Sequence, residues 1–527
     1  MSLVPLYIIA IYLGLLLAMS LGAKRLFRGN SKDYFVASHS IGPFMLLMSV
    51  FGTTMTAFAL VGSTGETFQA GVGVYGLMAS ASGLVHAACF YFIGIKLWAI
   101  GKRYGYVTQI QFFRSRFESN NIGYLLFPIL VALVVPYLLI GVLGSYKVIG
   151  PMSKGMFPNA FASIGGSIPD WITGLVICSV VLIYIFTGGV RAAAWANTFQ
   201  TIVFMAMGVL AFYLISIKLG GLSEAMSNAN PGHLVRTQSE LHLQGKEGAF
   251  TRQIGVAPLT FLTYMFIPLS VGMFPHLFQN WLTAKSARSF RLTVIVHPIF
   301  IMIVWMPCVL IGLWASNVFT ESPSAAWGPA AKIMAGLSDK NVGAVLSLCL
   351  KSLVDSPIVV GLVTSGILAA IMSSLDSQFL CLGTMFTNDV VVHKVGPKRF
   401  SDKQVLLIAR SFIVGIVIFT YGISLAGPAN VFDLAIWSFS GFASLTPLVI
   451  AALYWNRATK AGAYASIIAS MGIWLYFFYA SGWGGEYTLS GGVMPVAICF
   501  TAGALAMVIV SLITPKPSEQ TIKNFFA

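Results

Sequence analysis

The chain predicts an all-α integral membrane protein with about 13 transmembrane helices. Three observations carry that expectation. Of 527 residues, 57% are apolar and only 9% charged, the mean hydropathy is +0.84, and apolar runs of spanning length recur along nearly the whole sequence. An average soluble domain carries roughly 25% charged residues and could not hide this much apolar surface.

A spanning helix needs about 20 mostly apolar residues. Runs of that kind lie at 3–22, 42–67, 74–99, 122–146, 169–187, 195–217, 256–280, 292–315, 357–386, 404–425, 430–455, 461–481 and 490–513. Backbone groups in hydrocarbon must bond within their own segment, so each run is expected as a helix, and no long alternating pattern argues for a barrel. The first run lacks a basic n-region and its charges follow it, which predicts an uncleaved span and not a signal peptide. Run 42–67 contains Gly52, Gly62 and Gly65, and run 256–280 contains Pro268, Gly272 and Pro275. Both are interrupted helices of the kind that expose carbonyls and half-helix ends. They stand five helices apart, the spacing of the first helices of two inverted repeats, 42–217 and 256–455, with 461–513 adding two C-terminal helices. Gly and Pro are common in membrane helices generally, so the pattern alone leaves the repeat open.

The longest polar stretches, 218–255 and 316–356, are expected as loops, the second with an apolar piece at 343–353. A single membrane transport domain over 1–527 follows. Little chain remains after Leu512, so no attached signalling domain is expected.

The net charge of +15 does not point to nucleic acid, because blocks of interleaved basic and aromatic residues are missing. The cations instead sit between the apolar runs. Assigning alternate loops to one side gathers 22 of the 31 Lys and Arg together, at 24–32, 96–116, 191, 285–291, 394–410, 457–460 and 516–523. By the excess of cations on cytoplasmic loops, the N-terminus is expected outside and the C-terminus in the cytoplasm, in a multi-pass protein of the cell (inner) membrane. Cys89, Cys178, Cys308, Cys349, Cys381 and Cys499 fall in or beside apolar helices without paired spacing, which suits packing better than disulfides or metal.

Enzymatic readings fare poorly: no phosphate-binding loop, H-E-x-x-H or G-x-S-x-G pattern occurs. A charged group at membrane depth costs about 2.5–3.5 kcal/mol on insertion scales and asks for a reason. Asp376 is the one carboxylate that the sequence places deep in a span, while Glu66, Asp355 and Asp433 fall near helix ends. Ala370, Ser373, Ser374 and Ser377 recur at i, i+3, i+4 and i+7, so their oxygens share one helix face with Asp376 at its edge. Such a face suits a small hard cation. It also suits close helix packing, and spacing does not choose between them. His86, His276 and His297 are isolated intramembrane histidines, which favours packing over a proton relay.

Four stretches converge on one family. The chain resembles the sodium/solute symporters, which include proline, pantothenate, monocarboxylate, sialic acid and sugar carriers. Gly52-Thr53-Thr54-Met55-Thr56-Ala57-Phe58-Ala59-Leu60-Val61-Gly62 looks like the family's broken first repeat helix, and Gly188-Gly189-Val190-Arg191-Ala192 with Trp195 and Gln200 looks like its central motif. Residues 369–377, and the run from Gly441 to Gly462 with Pro447, Trp455-Asn456-Arg457 and Thr459, look like its eighth core helix and a later helix junction. The resemblance spans roughly 30–465. It implies a five-plus-five inverted-repeat (LeuT-like) core with one helix before and two after, and sodium as the coupling ion. The sodium site carried over by position comprises carbonyls of Gly52, Met55 and Ala370 and hydroxyls of Ser373 and Ser374.

The family's solute site lies between the broken helices and the third and tenth core helices. The matching candidates here are Thr54, Phe58, Tyr137, Val271, Phe274 and Pro275. Ile267 and Val271 replace aromatics of the proline carriers, the amide and carboxylate set of sugar carriers is missing, and Met273-Phe274-Pro275-His276 looks like the stretch in monocarboxylate members. The expected function is therefore sodium-coupled import of a small organic solute, a monocarboxylate or an amino-acid-like zwitterion. The alternatives are a sodium/sugar symporter, a proton-coupled carrier, and a non-transporting solute sensor. Where many members carry an Asp associated with a second sodium, this chain reads Trp195-Ala196-Asn197. Asn197 and Asp376 are thus candidates for a second cation site, and one sodium per solute is expected.

Overall fold

A computed structural model of the protein describes residues 2–23, 29–245, 248–396, 399–427 and 430–526. Of the cations used for topology, Lys24, Arg25, Arg28 and Lys398 lie outside the described residues. Ten helices among the described residues are long and apolar enough to cross a membrane: α1 (Val4–Gly22), α4 (Gly73–Tyr104), α6 (Asn120–Ser153), α8 (Gly188–Lys218), α11 (Ala287–Phe319), α13 (Pro357–Val395), α14 (Asp402–Ser424), α15 (Val431–Tyr454), α16 (Lys460–Ala480) and α17 (Pro495–Ile513). Two bent pairs raise the number to twelve. In one, α2 (Pro43–Thr54) meets α3 (Phe58–Ala70) at 56°; in the other, α9 (Pro258–Gly272) meets α10 (Pro275–Leu282) at 46°. The shorter apolar helix α7 (Asp170–Phe186) stands at the expected run 169–187. Short helices α5 (Gln109–Arg116), α12 (Val345–Leu353) and α18 (Glu519–Phe526) lie between or after the spans.

Helices α13 and α15 are almost wholly buried. The first packs along α7 and α8, α1, α6 and α2; the second packs against α6 and α9. The outer helices expose large apolar side chains such as Tyr7, Ile11, Leu407, Ile418 and Ile513, the surface expected where the surrounding solvent is lipid. Ends are set by local chemistry. Ser356 caps α13 ahead of Pro357, and Ser401 with Gln404 forms a capping box on α14.

The glycine pair of the 188–192 motif acts at a kink. Gly189, the second residue of α8, interrupts the helical run that joins α7 to α8 at φ 57°, and a Cβ there would meet the Tyr34 carbonyl oxygen at 2.5 Å. Only glycine fits such a left-handed, crowded position. Two residues on, Arg191 pairs with buried Asp33 at 2.6 Å and donates to the Ala37 carbonyl at 3.1 Å. A second buried pair joins Arg114 on α5 to Asp389 on α13 at 3.5 Å. Among the described residues Asp376 is one of three carboxylates buried in the fold, with Asp33, which lies in no span, and Asp389, near the end of α13. The other two are offset by arginines distant in sequence, which one-dimensional spacing does not display.

The stretch 218–255, expected as a polar loop, holds an antiparallel hairpin of β1 (Ser239–Gly245) and β2 (Gly248–Ile254). Its signal is the short alternation Leu241, Leu243, with Leu243 buried.

Candidate ion and solute sites

The break between α2 and α3 comes from backbone that leaves helical geometry at Met55 (φ −88°, ψ 100°). Thr56 restarts the helix by accepting from Phe58 N at 3.0 Å. An unbroken helix would spend the Gly52 carbonyl on the amide of residue 56. Here that carbonyl accepts from Ser373 Oγ at 2.7 Å, and the same hydroxyl lies 2.9 Å from the Ala370 carbonyl. Three of the predicted sodium-site oxygens thus converge, all buried. Residue 52 is glycine where α8 approaches it: a Cβ would sit 2.4 Å from Thr201 Oγ1, but at an ordinary 3.6 Å from Ser373 Cβ. Ser374 lies one residue along, its hydroxyl turned to the Ile371 carbonyl at 2.9 Å. Met55 is buried at the break.

One turn further along α13 is a second polar nest. Asp376, fully buried, accepts from Tyr184 Oη at 3.1 Å and from Ser377 Oγ at 3.0 Å. Asn197 reaches it from α8. With its amide nitrogen directed at the carboxylate, Asn197 donates to Asp376 Oδ2 at 2.9 Å, and its amide oxygen lies 3.1 Å from Ser377 Oγ. A carboxylate is an acceptor, so this orientation is the one its hydrogen-bond inventory requires. Thr53 Oγ1 lies 2.9 Å from Ser377 Oγ and ties this nest to α2. The two predicted second-site residues therefore touch.

The solute candidates gather around an aromatic cluster. Tyr137 on α6 lies 5.2 Å from Phe274 between ring centroids, and Phe58 joins them through Phe439 of α15, at 5.4 Å from Phe58, 4.9 Å from Tyr137 and 5.5 Å from Phe274. Phe439 is the hub and was not among the residues predicted. Helix 430–455 was expected to line the site, but its apolar pattern gives no sign of which ring turns inward. Thr54 is half-buried and donates to the Phe51 carbonyl at 2.9 Å. Val271 is buried in the 3₁₀ turn that ends α9, and Pro275 opens α10.

On the side bearing the hairpin lies a cavity of about 1170 Å³, lined among others by Glu66, Arg252, Asp339, Phe432, Asp433 and Glu486. Phe432 also stacks on Phe58 at 5.2 Å, so the cavity floor adjoins the aromatic cluster. On the opposite side the broken helices are laced together. Ile41 N donates to the Thr283 carbonyl at 3.0 Å, Lys285 N to the Ile41 carbonyl at 2.9 Å, and Trp98 Nε1 to the Ala284 carbonyl at 2.9 Å.

The model of the Sodium:solute symporter family matches residues 34–470. The chain belongs to this family. The symporter is 25% identical over 516 residues to a sodium/proline symporter of Escherichia coli (strain K12), covering 94% of this chain and 90% of the relative. It is equally identical over 505 residues to the osmoregulated proline transporter OpuE of Bacillus subtilis (strain 168), covering 94% and 92%. Its fold superposes on a Na+-coupled sialic acid symporter with a TM-score of 0.71, 15% identity and coverage of 98% and 99% of the two chains. The symporter is thus a multi-pass membrane transporter with the five-plus-five fold, and not an enzyme.

Proposed function

We propose that the symporter couples inward sodium movement to import of a small organic solute bearing one carboxylate, either an amino-acid-like zwitterion or a monocarboxylate. The observation that carries this reading is the start of α10 beside the aromatic cluster. A half-helix N-terminus presents unpaired N–H groups and a partial positive end, which suits a carboxylate where Phe58, Tyr137, Phe274 and Phe439 bring no formal charge. Tyr137 supplies a hydroxyl and Phe58 an apolar wall. That two relatives carry proline in their names agrees with a zwitterion.

Sodium binds where Gly52, Met55, Ala370, Ser373 and Ser374 offer neutral oxygens. Ion binding turns the lone pairs of Ser373 inward and holds α2 against α13, and that ordering favours solute at the neighbouring break. The coupling is linkage: each ligand favours the occluded state over the open one. Moving one positive charge inward gains about 2.3 kcal/mol per 100 mV. The two repeats, 42–217 and 256–455, rock about these sites. The cavity on the hairpin side is the outer vestibule, with Phe58, Phe432 and Phe439 as its thin floor, and the laced side is the closed cytoplasmic gate.

Counterflow of labelled solutes in sodium-loaded proteoliposomes tests the reading. Uptake of proline or a short monocarboxylate that requires sodium is the expected result. Competition by neutral sugars and not by carboxylic acids, or uptake insensitive to sodium, overturns it.

A further inference from the structure

His276, the second residue of α10, is 1% exposed, and neither of its ring nitrogens has a hydrogen-bond partner among the described residues. The contrast is with His86 and His297, where Nδ1 of the first lies 3.2 Å from Nε2 of the second, so each engages the other. His276 sits in the aromatic cluster instead, its ring 5.4 Å from Tyr137 and 5.0 Å from Phe274 between centroids. An imidazole in any protonation state carries at least one N–H, and burying that donor without an acceptor is costly. Packing alone would be served better by a phenyl ring.

The backbone beside it is short of acceptors too. Helix α10 has no side-chain cap at Phe274, and its first residue is proline, so the amides of His276 and Leu277 have no helical carbonyl to receive them. An orphaned side-chain donor and an orphaned helix start therefore occupy one wall of the same cluster.

We infer that His276 is a specificity-determining residue of the solute site, its imidazole N–H donating to one oxygen of the solute carboxylate while the α10 amides hold the other. This deepens the carboxylate reading above and rests on it. The pair of donors selects a carboxylate against the corresponding carboxamide, because an amide places an NH₂ donor where a second acceptor is required.

The test uses the purified full-length protein in sodium, with thermal stabilisation by L-proline, L-prolinamide, propionate and propionamide as the readout. Wild type is expected to be stabilised by at least one acid and at least tenfold less well by its amide. His276→Phe, which keeps the ring packing and removes the donor, should raise the acid concentration needed by about tenfold or more and leave the amide response and sodium half-saturation unchanged, since a hydrogen bond to a charged group is lost. His276→Gln should restore part of the preference. If wild type prefers an acid to its amide but His276→Phe responds to the acid at the same concentration, the role of His276 is overturned while the carboxylate reading stands; if acid and amide act equally on wild type, both fail. If neither acid stabilises wild type, the carboxylate reading itself fails, and this inference with it.

Discussion

Ser373 lies between the two helices of the proposed sodium site, 2.7 Å from the Gly52 carbonyl and 2.9 Å from that of Ala370. Replacing it with alanine removes one neutral oxygen and leaves two carbonyls facing each other. Ser373→Ala, and to a lesser degree Ser374→Ala, is expected to raise the sodium concentration for half-maximal uptake, on the order of fivefold for Ser373, with expression near normal. Sodium-titrated uptake checks this, and an unchanged double variant would remove both serines from the site. At the neighbouring nest the Asp376 carboxylate already receives Tyr184, Ser377 and Asn197. One sodium per solute is the expectation, with Asp376 held by these neutral donors and not by a second ion. Asn197→Asp would set two carboxylates about where a 2.9 Å hydrogen bond now stands, and such a pair demands a cation or a shared proton. Reversal-potential measurements should give a ratio of one for wild type and a tighter or additional sodium for the variant. A wild-type ratio of two would instead make Asp376 a ligand. The serine face was legible in the sequence because helical spacing is local. The contact between Asn197 and Asp376 joins helices 179 positions apart, and no local pattern reports it.

Breaks and caps decide what the elements do. The interruption at Met55 frees the carbonyls that α13 approaches, and the one before Pro275 creates the uncapped start of α10. Both were visible as Gly and Pro in long apolar runs, whereas the bend angles of 56° and 46° follow from what each half packs on. At the other extreme of the chain, α18 docks on the segment around α5. Glu118 accepts from Ser518 N at 3.3 Å and from the Ser518 and Thr521 hydroxyls, Tyr104 Oη donates to the Asn524 carbonyl at 2.8 Å, and Phe525 packs on Tyr104 and Phe112. The hydroxyl groups of Ser518 and Thr521 hold the Glu118 carboxyl below its ordinary value of 4.5. Its contribution to docking is therefore complete above about pH 4.5 and fades as pH falls through the lowered value. Proteolytic release of the C-terminal peptide should be slow and flat near neutrality and accelerate in acid. Glu118→Ala should show the faster rate at neutral pH, with the aromatic contacts keeping it short of full release. A pH-independent rate in wild type would count against the carboxylate as the clasp.

Across the whole molecule, the large cavity opens on the hairpin side and the lacing between Ile41 and Lys285 closes the other. With cations concentrated on the laced side, the hairpin is expected outside the cell. The six cysteines are buried, so they give little background for labelling. His242→Cys on the hairpin should react with an impermeant maleimide in intact cells, and Lys516→Cys only after permeabilisation; the reverse pattern would invert the topology. The sequence by itself determined the membrane class, the positions of the apolar segments, the two interrupted helices and the family resemblance, because hydropathy, Gly and Pro breaks and short motifs are properties of neighbouring residues. Only the tertiary structure decided that Asp33 and Asp389 are neutralised by Arg191 and Arg114, that Phe439 joins Phe58, Tyr137 and Phe274, and that the His276 ring stands among them with no hydrogen-bond partner among the described residues. Each of those facts is a distance between helices far apart in the chain. In a bundle where nearly every helix is apolar on all sides, composition cannot say which face turns toward which neighbour.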